Sequence, residues 1–96
     1  MRDYEVMTIH RPDLAESDVE AKVGELESHL SGSGANVTKR DMWGKRRFAY
    51  EIDHLSEGFY TVLSFQAEPD SVDSLDRMLS LADEVVRHKI VRIGDA

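Results

Sequence analysis

The sequence has no cysteine. That removes a disulfide framework, a thiolate metal site and a cysteine nucleophile, and it is compatible with a reducing compartment. There are only two prolines, Pro12 and Pro69, and each falls at a break in the apolar pattern. No apolar run approaches the ~18 residues of a membrane helix. Met1-Arg2-Asp3-Tyr4 opens directly into patterned sequence, so no signal peptide is expected and a soluble cytoplasmic protein is. No glycine-rich loop opens a helix, which leaves no phosphate cradle of the P-loop kind. No serine lies in a nucleophile-elbow pattern. His10, His29, His54 and His88 are isolated, with no second histidine or cysteine at metal-ligand spacing. These absences point away from an enzyme, a metal centre and a cofactor site.

Positive charge is also scarce, but it is concentrated. The 96 residues hold 19 acids against 12 bases, a net charge of −7. Lys39, Arg40, Lys45, Arg46 and Arg47 lie within residues 39–47, and Arg87, Lys89 and Arg92 within 87–92. Asp41 is the one acid in either window, so fifteen residues carry +7 while the other 81, with 4 bases and 18 acids, carry −14. Segregation of this kind reads equally as the footprint of a local anionic partner on an acidic protein or as two solvated surface strands with incidental charge.

Residues 3–10 alternate loosely and are β-rich, which reads as a strand ended at Arg11-Pro12-Asp13. Ser17 with Glu20 has the spacing of a helix-opening capping box. Val19, Val23, Leu26 and Leu30 then recur at helical steps and form an apolar stripe, stopped by Ser31-Gly32-Ser33-Gly34. Residues 35–52 read as a long strand with a bulge or bend at Gly44 that would re-aim Lys45, Arg46 and Arg47. A polar loop at 53–57 precedes a strand from Phe59 to Ala67. Asp70 is placed to cap a second helix carrying Val72, Leu75 and Leu79, and residues 85–93 form the fourth strand.

The order is βαββαβ in one domain, 1–96, with an ordered core of about 2–93. The simplest packing is an α+β, ferredoxin-like fold: a four-stranded antiparallel sheet with both helices on one face. Strands one and three are then central, and both basic clusters sit on edge strands. The helical segments 13–31 and 68–84 each carry six acids against one base, so an anion must approach the sheet edges or the open face. An RNA-recognition motif shares this order, but Glu57-Gly58-Phe59-Tyr60-Thr61-Val62-Leu63-Ser64 lacks its leading cation and last two aromatics.

Four segments in order, "MRDYEVMTIHRPDL", "WGKRRFAYEI", "EGFYTVLSFQA" and "LADEVVRHKIVR", closely resemble the family of the sixth protein of the bacterial small ribosomal subunit. The resemblance runs over about residues 1–93. It implies a non-catalytic ferredoxin-like domain that binds the central domain of small-subunit ribosomal RNA. It also implies a heterodimer with the eighteenth small-subunit protein, with RNA binding dependent on both. Phe48 stands where the family commonly has leucine, and the acidic stretch 53–57 stands where many members place lysines.

On this reading the RNA-binding candidates are Lys45, Arg46 and Arg47, then Arg87, His88, Lys89 and Arg92, with Arg2 beside the first strand. Guanidinium forks suit phosphate. Alternation turns Arg46 and Arg47 to opposite sides, so one is available to RNA and the other to a partner protein. Trp43, Phe48, Tyr50 and Tyr60 are candidates for the partner interface or for stacking on a base, with Phe48 and Tyr50 equally readable as core. No cofactor, metal or membrane is expected. The rival class is a ferredoxin-like enzyme or ligand domain that closes its open sheet faces by dimerising; a family-like protein acting off the ribosome is the third reading.

Overall fold

The apolar alternation in the strands and the 3.6-residue stripe in the helices meet in one core. The computed structural model describes residues 1–93; residues 94–96, included in the domain expected from the sequence, lie outside the described residues. In chain order the elements are β1 (Arg2–His10), α1 (Glu16–Gly32), β2 (Asn36–Ile52), β3 (Leu55–Ala67), α2 (Pro69–Leu81) and β4 (Val85–Ile93). The sheet runs β2-β3-β1-β4 with every neighbouring pair antiparallel. The ferredoxin-like α+β topology expected from the pattern is therefore the one observed, with β1 and β3 central.

Val19, Val23, Leu26 and Leu30 of α1, and Leu75 and Leu79 of α2, are buried against Val6, Leu63 and Phe65 of the central strands. Full burial of such a side chain is worth about 1.5–3 kcal/mol, so these two stripes fix both helices to the same face.

The helix starts differ from the sequence expectation. α1 is capped at Ala15, not Ser17, because the Asp18 carboxylate folds back to accept the Ala15 backbone N–H at 3.2 Å. Ala15 has no side-chain acceptor, so only that half of a capping box exists. α2 begins at Pro69 with Glu68 as its cap residue, not at Asp70. Proline fits there because the first helical N–H has no intrahelical partner to lose and its φ is already helical.

The expected polar loop at 53–57 is also shorter. Asp53 and His54 alone make the β2–β3 turn, both at positive φ (51° and 65°), the sign pattern of a type I′ hairpin turn. Ile52 pairs with Leu55, and β3 starts there. β1 joins β3 only from Phe59 onward, where it pairs with His10. The hairpin from Arg46 to Gly58 therefore projects past the four-stranded sheet as a two-stranded arm.

At the root of that arm β1 and β3 approach closely. A Cβ on Gly58 would stand 2.8 Å from the His10 carbonyl oxygen, 2.9 Å from Ile9 Cγ2 and 3.0 Å from Phe48 Cζ. One of these obstacles is backbone and cannot rotate away.

His10 is fully buried on the helix side, hydrogen-bonded through Nε2 to Thr8 Oγ1 at 2.8 Å, and Thr8 Oγ1 in turn meets Thr61 Oγ1. Among the described residues its Nδ1 has no hydrogen-bond partner. Burial lowers its pKa to about 4; Glu84 opposes that shift and Lys22 adds to it. Glu84 and Lys22 form an ion pair at 2.9 Å, which raises the lysine pKa and lowers that of the carboxylate.

Two predictions follow from this core. Because His10 protonates near 6.5 when unfolded and near 4 when folded, the unfolded chain binds the extra proton as pH falls between those values. Stability attributable to His10 is therefore present above about pH 6.5 and is lost on the way to pH 4, on the order of 3 kcal/mol in all. Urea denaturation of wild type and His10→Gln at pH 7 and pH 4 checks this: the variant should lose less stability over the interval, and equal losses would contradict it. Gly58→Ala should cost about 1–3 kcal/mol by the same method, and a neutral result would mean that β1 and β3 separate there without penalty.

Candidate RNA and protein interface

Side chains on a strand alternate between faces, so the cross-strand register decides which cations share a surface. Val6, paired with Leu63 and Ile90, marks the helix side; Met7, paired with Val62 and Lys89, marks the open side. Followed outward, this register divides the basic residues between the two sides of the sheet.

On β2 the alternation is reset at Gly44, where the register shifts between Met42 and Gly44 and the glycine takes φ 83°. This is the bulge expected from the sequence. Beyond it Lys45 pairs with Phe59 and holds its ammonium 5.1 Å from the centre of that ring, on the helix side. Arg46 pairs with Gly58 and turns to the open side. Its Nε donates to the Trp43 carbonyl at 3.3 Å and its guanidinium carbon lies 5.8 Å from the indole centre. Arg47 pairs with Glu57 and returns to the helix side. All three are exposed.

The second cluster divides in the same way. Arg87, opposite Ile9, and Lys89, opposite Met7, are exposed on the open face. His88 faces α2 and is hydrogen-bonded to Asp76 at 2.7 Å. Arg92 pairs with Tyr4, and Arg2 with Ala67, so both have helix-side parity and both are exposed. Arg40 of the first charge window is also engaged: its Nε and an Nη donate to the Glu27 carboxylate of α1 at 3.1 and 2.5 Å, and that contact raises its pKa.

The four aromatic candidates separate too. Trp43 stacks on Tyr60 with ring centres 6.1 Å apart and planes within 8°. Phe48 meets Tyr60 edge-on at 6.0 Å and is only 9 % exposed. With Ile9, which is 3 % exposed, it forms a small apolar cluster on the open side. Trp43 is 44 % exposed and Tyr50, out on the arm, 70 %. The open face thus presents aromatic and aliphatic surface with a rim of mixed charge, the composition of a protein-docking surface. Two shallow hollows mark it. One of about 360 Å³ runs between Glu5, Asp41 and Trp43, and one of about 240 Å³ lies between Phe48, Tyr50 and Arg87.

Among the described residues no group of three or more histidine and acidic side chains is placed to hold a metal ion. The described helices include none long and apolar enough to cross a membrane.

Comparison with known proteins decides the family. The sequence profile described as Ribosomal protein S6 matches residues 3–92. The chain belongs to the ribosomal protein S6 family. It is similar to the small ribosomal subunit protein bS6 of Desulforamulus reducens, 46 % identical over 95 residues, covering 99 % of this chain and all of that protein. Its similarity to bS6 of Symbiobacterium thermophilum is 47 % over 92 residues, or 96 % of this chain and 97 % of the relative. The crystal structure of 30S ribosomal protein S6 from Thermotoga maritima superposes with a TM-score of 0.91 at 29 % identity, covering 96 % of this chain and 87 % of that one.

Within this S6 fold, the sequence located the basic segments but not which cations are already engaged. Arg40 and His88 reach partners 13 and 12 residues away in sequence, Glu27 and Asp76, on helices whose orientation the strand pattern does not specify. Glu5 and Asp41, which help shape the larger hollow, carry no local motif in the sequence. Their signal was parity: each lies on the same side of its strand as Met7 and Val62.

The bulge generates a prediction. A side chain at Gly44 meets nothing within 4 Å, so Gly44→Ala should not clash, but φ 83° should cost it about 1–2 kcal/mol. Denaturation should show that loss, and the emission of Trp43, the sole tryptophan, should shift as the bulge relaxes. Unchanged stability and emission would mean that the bulge does not depend on the glycine.

Proposed function

We propose that this protein is a structural constituent of the small ribosomal subunit that binds the central domain of small-subunit ribosomal RNA together with the eighteenth small-subunit protein. It is not an enzyme and works in the cytoplasm, as membership of a structural ribosomal family implies. The observation that carries the finer reading is the division of the exposed cations and aromatics by the plane of the sheet.

Lys45 and Arg47 stand exposed on the helix side of the outer strand β2, at the root of the arm, and are the first phosphate contacts. Arg2 and Arg92, at the far end of the sheet and with the same parity, join them at a second point. His88 is already engaged by Asp76 and is the weakest of the RNA candidates. The acidic outer surfaces of α1 and α2 exclude phosphate from the rest of that side, so contact is confined to the edges. Phosphate contacts of this kind position an RNA without reading much of its sequence.

The open face goes to the partner protein. Trp43, Tyr60, Met7 and Val62 give it apolar area, and Arg46, Arg87 and Lys89 lie around that area. With a net charge of −7 the protein alone gathers counterion-releasing contacts at only a few points, so its own RNA affinity is low. A basic partner seated on the open face supplies the missing charge, which makes RNA binding dependent on both proteins.

Binding to a central-domain RNA fragment over a salt series, with and without the eighteenth protein, tests this reading. Tight binding is expected only with the partner. The component of the log–log salt slope due to this protein should be roughly −3 to −4, as for about four neutralised phosphates. Reversing Lys45, Arg46 and Arg47 to glutamate should weaken RNA binding at least tenfold while the protein stays folded. Absence of binding in both arms by a folded protein would overturn the proposal.

A further inference from the structure

We propose that the larger hollow on the open face receives a basic side chain, arginine or lysine, from an apposed protein segment. The aliphatic stem lies on Met7, Val62 and Val91, and the charged head meets Glu5 and Asp41. This rests on the partner-binding reading above and specifies the chemistry by which the face recognises that partner.

The floor of the hollow is apolar because one open-side layer of the sheet reads Val62–Met7 across β3 and β1, with Val91 on β4 opposite Glu5 in the next layer. Asp41 enters from β2, where it pairs with Val62, and Glu5 from β1, where it pairs with Ser64. Both acids are half-buried, and neither has an ion-pair partner among the described residues. A carboxylate partly withdrawn from water beside apolar groups gains from an incoming cation more than a fully solvated one does. At about 360 Å³ the hollow has room for a long side chain laid along its floor.

Two features favour a long basic side chain over other occupants. Arginine and lysine rest their methylene stems on apolar surface while the head stays at a polar rim, which matches an aliphatic floor between two acids. Trp43 forms a wall of the same hollow, and an indole attracts a guanidinium or ammonium brought to it. Lys89 also lines the hollow, from the β4 side, but two carboxylates outnumber it there. RNA fits poorly, since its phosphates would meet both acids. A second copy of this chain fits poorly too, because the symmetric contact would bring two acidic hollows together on proteins that each carry −7.

Glu5→Gln with Asp41→Asn tests the proposal, using the eighteenth small-subunit protein as the probe and the emission of Trp43 as the signal. Neutralising both acids should weaken partner binding roughly tenfold or more, and each single variant should weaken it by a smaller factor. Binding of the central-domain RNA fragment without the partner should be unchanged or tighter, because two repulsive charges have gone. The circular-dichroism spectrum and thermal midpoint of each variant establish that it is folded, and the single variants carry the test if the double one is not. Partner affinity that is unchanged or improved would overturn the hollow as a basic-side-chain site while leaving the partnership standing. Weaker RNA binding by the folded variants would overturn it as well. Failure of the wild-type protein to bind the partner would overturn both the partnership and the site.

Discussion

Two helices can cover only one face of a four-stranded sheet, and most of this molecule follows from that limit. Val19, Val23, Leu26, Leu30, Leu75 and Leu79 cover the middle of one side and leave the other to solvent or to a partner. Yet β1 and β3 are apolar on both sides: Val6, Leu63 and Phe65 face the helices, while Met7, Ile9, Tyr60 and Val62 face away. A protein that worked alone would be expected to place polar residues at the second set. Part of that set is shielded internally, since Ile9 and Phe48 are buried beside Tyr60, and the rest lies open between Trp43 and Val91.

The same geometry sorts charge. Strand alternation, reset at the Gly44 bulge, sends Lys45 and Arg47 to the helix side and Arg46 to the open side, although the three are consecutive. Contacts to the helices then engage Arg40 through Glu27 and His88 through Asp76. Lys45, Arg47, Arg87 and Lys89 stand exposed on the edge strands β2 and β4, away from the acidic helices. A uniform count of bases over residues 39–47 and 87–92 conceals this division. On the proposed reading, two separated basic strips on an acidic protein bind RNA weakly alone and more tightly as one member of a pair.

The element order, the topology and the helix stripes were legible because each rests on periodicity, which is local and repeated. The starts of the helices were less so. Ser17 and Glu20 fitted a capping pattern, but Asp18 could reach the Ala15 N–H once the chain turned two residues earlier, and Pro69 served as a first helical residue rather than a break. The β2–β3 turn is shorter than the expected loop, and Asp53-His54 lacks the glycine that usually marks positive φ at a two-residue hairpin. Nothing in the local sequence marks His10 as a buried residue. Its burial depends on Thr8 and Thr61, and Thr61 is 51 residues away in sequence. Of the candidate site, the basic segments and the alternation of Arg46 against Arg47 were readable; the engagement of His88 and the acids beside the hollow were not. Each of those depends on which element packs next to which.

The central claim is that the sheet plane separates two interfaces, and amide and methyl chemical-shift mapping of this 96-residue protein tests it most directly. Spectra would be recorded first with the eighteenth protein and then with the RNA fragment added to the pair. The first addition should move Met7, Val62, Val91 and the Trp43 indole, and the second should move Lys45, Arg47 and their β2 neighbours while leaving the open face in place. If both additions perturb the same face, or if RNA reaches Met7 and Val62 before the partner does, the separation of the two interfaces is wrong.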